Sequence, residues 1–113
     1  GPVRARAVPG AVEQMLDNLL DNALLATPAD GEVRVALSRE GGMVVLTVAD
    51  RGPGMTAPQM ASAFERFWTT RGREGSGLGL AIVDQLSRAS GGSAALRARD
   101  GGGLVAEVRL PSA

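Results

Sequence analysis

Three sets of residues follow one another along the chain, and each has a definite chemical use: Asn18 and Asn22, then Asp50-Arg51-Gly52-Pro53-Gly54, then Gly75-Ser76-Gly77-Leu78-Gly79-Leu80. A carboxylate such as Asp50, placed directly after an apolar run, can accept from an exocyclic amino group. Gly52 and Gly54 let the backbone behind it turn tightly and approach a flat ligand closely. The amides of Gly77, Leu78 and Gly79 open a helical pattern, where unsatisfied donors and the helix dipole favour phosphate. An asparagine carbonyl oxygen is a hard, neutral ligand suited to a magnesium ion that keeps several waters and takes its remaining ligands from nucleotide phosphates. All 12 basic residues are arginine and there is no lysine, so a phosphate site here rests on backbone amides, a metal or arginine. Each set taken alone also has an ordinary structural reading: a solvated helix face, a strand-ending turn, a hinge.

The elements that must position these residues are legible from periodicity. Val3 to Val8 alternates apolar and basic residues as a short strand would, and Pro9-Gly10 breaks the pattern. From Ala11 to Ala26 the residues Val12, Met15, Leu16, Leu19, Leu20, Ala23 and Leu24 fall on one broad helical face. Gln14, Asn18 and Asn22, spaced by four, form a polar stripe with Asn22 at the border of that face, where a pocket edge would lie. Thr27-Pro28 stops the helix. Glu32 to Ser38 and Met43 to Ala49 alternate and flank Gly41-Gly42, the pattern of a hairpin.

Between Asp50 and Gly75 the apolar periodicity is lost, apart from a short amphipathic piece around Pro58 to Phe67, and a connection of that length reads as a lid. Helical spacing returns from Gly77 to Ala89 and ends at Gly91-Gly92. Two last strands, Ser93 to Arg99 and Leu104 to Leu110, flank a turn at Asp100 to Gly103. The expected fold is an α/β (α+β) two-layer sandwich: a mixed, largely antiparallel sheet of about five strands, covered on one face by about three helices, with a flexible lid over about 51–76.

At 113 residues the chain is a single domain, long enough to bury about two thirds of its surface on folding. Zero formal net charge and a pI near 6.5 give no summed positive field, so neither nucleic acid nor an anionic membrane is expected as a partner. With no cysteine there is no disulfide framework or thiolate metal site, and with no histidine the commonest neutral metal ligand and general base is missing. Gly1-Pro2 has the look of a cloning remnant rather than a signal peptide, and the expectation is a cytoplasmic piece of a longer protein. A dinucleotide fingerprint would need a strand before Gly75, but Thr69 to Glu74 is polar and charged.

Taken together, the stretches resemble the ATP-binding domain of bacterial sensor histidine kinases, within the wider superfamily that includes gyrase and mismatch-repair ATPases. Leu16 to Ala23 looks like the family's N box, Asp50 to Gly54 like its DxGxG adenine box, Gly75 to Leu80 like its GxGLGL box, and Phe64 to Trp68 like the F box of the lid. The resemblance covers essentially the whole chain and implies that Asn22 carries Mg2+, Asp50 accepts from adenine N6, and Gly77 to Gly79 wrap the phosphates of ATP under a closing lid. It also implies that the phosphate acceptor is a histidine on a separate dimerisation helix hairpin of the same protein, absent here, and that a response regulator acts downstream of the full kinase.

Asn18 helps choose within the superfamily, because the gyrase-like ATPases and anti-sigma serine kinases resemble one another in having a glutamate base there. A serine hydroxyl or a water needs deprotonating and a neutral imidazole does not, so Asn18 favours transfer to histidine. The alternatives are a non-catalytic, regulatory nucleotide-binding module and a serine-directed kinase. Two positions depart from the pattern: Leu25-Ala26 replaces a lysine and an aromatic, and Thr69 replaces a basic residue after the F box. Arg66, Arg71 or Arg73 could supply phosphate contacts from the lid instead, or be solvated loop charges. Phe64, Phe67 and Trp68, the chain's only aromatics, read either as an anchor for the lid or as a patch that docks on the histidine hairpin.

Overall fold

A computed structural model describes residues 4–29, 31–65 and 79–113. Its elements are α1 (Ala11–Ala26), β1 (Arg34–Glu40), β2 (Met43–Ala49), α2 (Ala57–Ser62), α3 (Gly79–Ala89), β3 (Ser93–Ala98) and β4 (Leu104–Pro111).

The first helix starts where Pro9-Gly10 ends the extended N-terminal segment, and the Gly10 carbonyl accepts the Gln14 amide at 3.2 Å. It stops where Thr27 turns extended and Pro28 offers no further amide donor. Its buried residues Ala11, Met15, Leu19 and Ala23 repeat every four positions, so one narrow stripe enters the core while Val12, Leu16 and Leu20 pack on its flanks. On α3 the buried positions are Leu80, Val83 and Ser87, and the fully buried Ser87 hydroxyl donates to the Asp84 carbonyl at 2.9 Å. The helix ends in a Schellman arrangement: Gly92 N–H reaches Ser87 O at 2.8 Å, Gly91 N–H reaches Arg88 O at 3.0 Å, and Gly91 adopts a φ of 85°.

The four strands form one sheet in the order β1-β2-β4-β3, with every pairing antiparallel. Leu46 stands opposite Val108 and Val48 opposite Ala106, and these pairs close the core against Met15, Leu19 and Val83 from the helices. The other face carries ion pairs instead. Arg97 meets Glu107 at 2.9 Å and Arg109 meets Glu107 at 3.4 Å. In register beside those arginines lie Val105 and Val45, both buried although on the face opposite the helices.

Two features of the sheet differ from the sequence expectation. Among the described residues there are four strands rather than about five, and none is parallel. The N-terminal segment does reach the sheet, through an antiparallel bridge between Ala5 and Ser112 flanked by bonds from Arg6 N to Pro111 O and Ala113 N to Arg4 O, but Pro9-Gly10 follows too soon for it to lengthen into a strand. The first hairpin strand runs Arg34–Glu40 rather than Glu32 to Ser38, because the two-residue Gly41-Gly42 turn carries the ladder to the pair Glu40 and Met43. Helix α2 occupies only part of the expected amphipathic piece around Pro58 to Phe67. The expected lid lies inside the described residues only as far as Glu65.

Candidate functional site

Asp50 leaves the end of β2 and is only 4% exposed. Its Oδ1 accepts two backbone amides, from Gly52 at 2.9 Å and from Leu104 at 3.1 Å, while its own N–H donates to Leu104 O at 2.9 Å. Its Oδ2 has no hydrogen-bond partner among the described residues. One oxygen of a buried carboxylate is therefore spent on fixing the group, and the other is left for a donor that the described residues do not supply.

The turn behind Asp50 is held from two sides. A Cβ on Gly52 would stand 2.7 Å from the Ala26 carbonyl, and one on Gly54 would stand 3.1 Å from the Gly103 carbonyl. The Arg51 amide donates to Thr27 Oγ1 at 3.3 Å. The end of α1, the end of β2 and the β3–β4 turn thus converge at this carboxylate.

Beside Asp50 opens a small cleft between α1, α3 and the sheet. Val48 and Ala106 form its floor, with Leu19 and Ala23 of α1 and Leu80 of α3 on one side. Met55, Leu96 and Leu104 complete the apolar wall. Among the described residues Asn22 and Asp50 are its polar lining, which suits a flat, largely apolar ring carrying an amino group on one edge.

Asn22 faces the first residue of α3: a Cβ on Gly79 would lie 3.6 Å from its Nδ2 and 3.9 Å from its Oδ1. Asn18, one turn earlier, donates from Nδ2 to Gly79 O at 3.2 Å and accepts on Oδ1 from Gln14 Nε2 at 3.2 Å. The polar stripe of α1 is therefore the seam against which α3 begins. Among the described residues no three acidic side chains cluster as a metal cage would need. A single asparagine oxygen fits the alternative, a magnesium ion held mainly by phosphates and water.

Of the residues singled out from the sequence, Asn18, Asn22, Asp50, Gly52, Gly54, Gly79 and Leu80 gather around this cleft. Gly75, Gly77, Leu78, Arg66, Arg71 and Arg73 lie outside the described residues, as do Phe67, Trp68 and Thr69. Sequence reasoning missed two contributors. The capping box of α2, in which the Thr56 side chain accepts from Gln59 N and the Gln59 side chain accepts from Thr56 N, was signalled by Thr-x-x-Gln before an apolar piece. The Leu96, Leu104 and Ala106 wall was signalled only as ordinary strand alternation.

Comparison with known proteins places this geometry among relatives. Residues 7–113 match the family model described as histidine kinase-, DNA gyrase B- and HSP90-like ATPase. The chain is 38% identical over 111 residues to the sensor protein CreC of Escherichia coli K12, covering 96% of this chain and 23% of CreC. It is 39% identical over 107 residues to the sensor histidine kinase component HK1 of Mycobacterium tuberculosis, covering 92% of this chain and 62% of HK1. Among solved structures, the mycobacterial sensor histidine kinase MprB superposes with a TM-score of 0.83 at 34% identity, over 93% of this chain and 72% of that one. Full-length ShkA in complex with AMPPNP superposes with a TM-score of 0.81 at 40% identity, over 92% of this chain and 22% of that one.

Proposed function

The chain belongs to the family of histidine kinase-, DNA gyrase B- and HSP90-like ATPases, as an ATP-binding catalytic domain of the sensor-kinase type, and from that premise we propose that it binds Mg-ATP in the Asn22–Asp50 cleft and donates the γ-phosphate to a histidine outside this chain. The observation that carries the reading is the Asp50 carboxylate, tied down through Oδ1 with Oδ2 left over in an apolar cleft. ATP offers the matching donor in its N6 amino group, and the ring behind that group fills the wall of Val48, Leu96, Leu104 and Ala106.

From the base, the phosphates would run toward Gly79, and we assign their donors to the amides of Gly77 to Gly79. Asn22 is the residue that would hold Mg2+, and the ion would supply there the neutralisation of phosphate charge. Asn18 keeps α1 and α3 in register, with both ends of its amide engaged. It offers no carboxylate to act as a base, which suits a neutral imidazole acceptor. The chain itself contains no histidine, so the acceptor belongs to another segment, in our reading the dimerisation hairpin of the same protein, with a response regulator receiving the phosphate next. Phosphoryl transfer of this kind is mostly positioning and charge neutralisation, and an apolar cleft with two polar residues supplies the positioning.

Among the described residues no helix is long and apolar enough to cross a membrane. Our reading puts the domain in the cytoplasm, because its proposed substrate is ATP. Calorimetric titration of the domain with ATP, with and without Mg2+, tests the reading. Saturable binding that tightens with Mg2+ is expected, and a folded domain that binds no ATP in either condition would overturn it.

A further inference from the structure

The Asp50 carboxylate is oriented from behind by a residue that belongs to none of the sequence motifs. Arg99 follows β3, and its side chain is only 10% exposed. Its Nη1 donates to the main-chain carbonyl of Asp50 at 3.0 Å, and its Nη2 stands 3.8 Å from Glu32 Oε1. Its backbone closes the turn that follows, with Arg99 N donating to Gly103 O at 3.1 Å and Gly102 N donating to Arg99 O at 3.0 Å. The next residue, Leu104, gives its amide to Asp50 Oδ1 and takes the Asp50 amide on its carbonyl. The carbonyl, the amide and one carboxylate oxygen of Asp50 are thus all tied to the single stretch Arg99–Leu104.

A nearly buried guanidinium is costly to desolvate, and here it meets a backbone carbonyl at close range and a carboxylate only at the edge of contact. What that contact does geometrically is fix the peptide plane after Asp50. That plane carries the Arg51 amide, and through Arg51 it limits where the following Gly52 amide can lie; the Asx-type turn that sets the carboxylate depends on the Gly52 amide reaching Oδ1. Gly103 reinforces the arrangement: a Cβ there would overlap the Asp50 carbonyl, the same oxygen that Arg99 holds.

We propose that Arg99 is a positioning residue for recognition of the base: by anchoring the Asp50 carbonyl it turns Oδ2 toward the amino group of the nucleotide. It touches no ligand atom and acts through Asp50. The planar fork of arginine lets Nη1 and Nη2 serve Asp50 and Glu32 together, which a lysine ammonium cannot do in the same way. This inference rests on reading the cleft as an adenine site, and its test separates the two.

The wild-type domain, Arg99→Gln and Arg99→Lys are titrated with Mg-ATP and with the Mg complex of purine riboside triphosphate, which lacks the exocyclic amino group. Wild type is expected to prefer ATP by about tenfold or more. In Arg99→Gln that preference collapses to within about threefold while the affinity for the des-amino nucleotide stays within about twofold. Arg99→Lys, which keeps a cation able to reach a carbonyl, falls between them. The amide resonances of Gly52 and Leu104 shift in both variants while those of α2 stay in place. Equal weakening of the two nucleotides, an unchanged preference, or unmoved Gly52 and Leu104 resonances would each overturn the proposal. Should Arg99→Gln not fold, Arg99→Lys carries the same comparison. A wild-type domain that binds ATP no better than the des-amino nucleotide would instead overturn the assignment of Asp50 to the amino group, and the Arg99 proposal with it.

Discussion

Replacing Asp50 with asparagine separates ligand recognition from folding, because the two carboxylate oxygens have different tasks. The amides of Gly52 and Leu104 both need an acceptor at Oδ1, and an asparagine carbonyl can stay there. The Nδ2 then takes the place of Oδ2 and presents a donor to the amino group of adenine. The loss is one charge-assisted hydrogen bond, roughly 1.5–3 kcal/mol, which weakens ATP binding about ten- to hundredfold. Folding should suffer far less, about 1 kcal/mol, since two bonds pass from a charged to a neutral acceptor. Asp50→Ala behaves differently, because it strands both amides without a partner at roughly 1–3 kcal/mol each. Against a total stability of about 5–15 kcal/mol, that is enough to lower Tm by tens of degrees or abolish folding. The assay is calorimetric titration with Mg-ATP beside thermal unfolding of wild type and both variants. Affinity of Asp50→Asn within about threefold of wild type would refute the assignment of Oδ2, and equal destabilisation by the two variants would refute the division of labour between the oxygens.

Other expectations follow from single contacts. Asn22→Ala should remove most of the gain in ATP affinity that Mg2+ confers while leaving metal-free binding within about threefold, as measured by titration in the two conditions. Gly103→Ala places a Cβ on the Asp50 carbonyl at a φ of 113° and should destabilise the domain by about 1–3 kcal/mol or more in urea unfolding, with ATP affinity falling as well. Thr56→Ala removes the α2 capping box at a cost of about 1 kcal/mol, visible as faster hydrogen exchange at Met60 with little change in the core of the sheet. Met15→Ala, at a fully buried position, should cost about 2–5 kcal/mol in global unfolding without changing the base preference of the protein that remains folded.

What was legible in the sequence is what local periodicity and turn chemistry encode. The bounds of α1 and β2 could be read because the apolar spacing is unbroken and Pro9-Gly10, Thr27-Pro28 and Gly41-Gly42 punctuate it. Asn22 and Asp50 line one cleft and Asn22 faces Gly79, an arrangement that no local signal encodes, since nothing local brings the end of β2 next to the start of α3. The contact of Arg99 with Asp50 joins residues 49 positions apart, and no spacing rule reaches that far. The bond of Asn18 to Gly79 O, across the seam between α1 and α3, joins residues 61 positions apart and lies beyond such rules as well. Among the described residues the N-terminal run, whose alternation suggested a strand, meets the sheet through the single Ala5–Ser112 bridge.

The claim that matters most is transfer to histidine. The domain, Mg-ATP labelled at the γ-phosphate and the proposed histidine-bearing helix hairpin are mixed, and the acid and base stability of the label on the hairpin is measured. The account predicts an acid-labile, base-stable phosphate that disappears with Asp50→Asn. A domain that binds Mg-ATP yet leaves the hairpin unlabelled, or that yields an acid-stable phosphoserine, would contradict it.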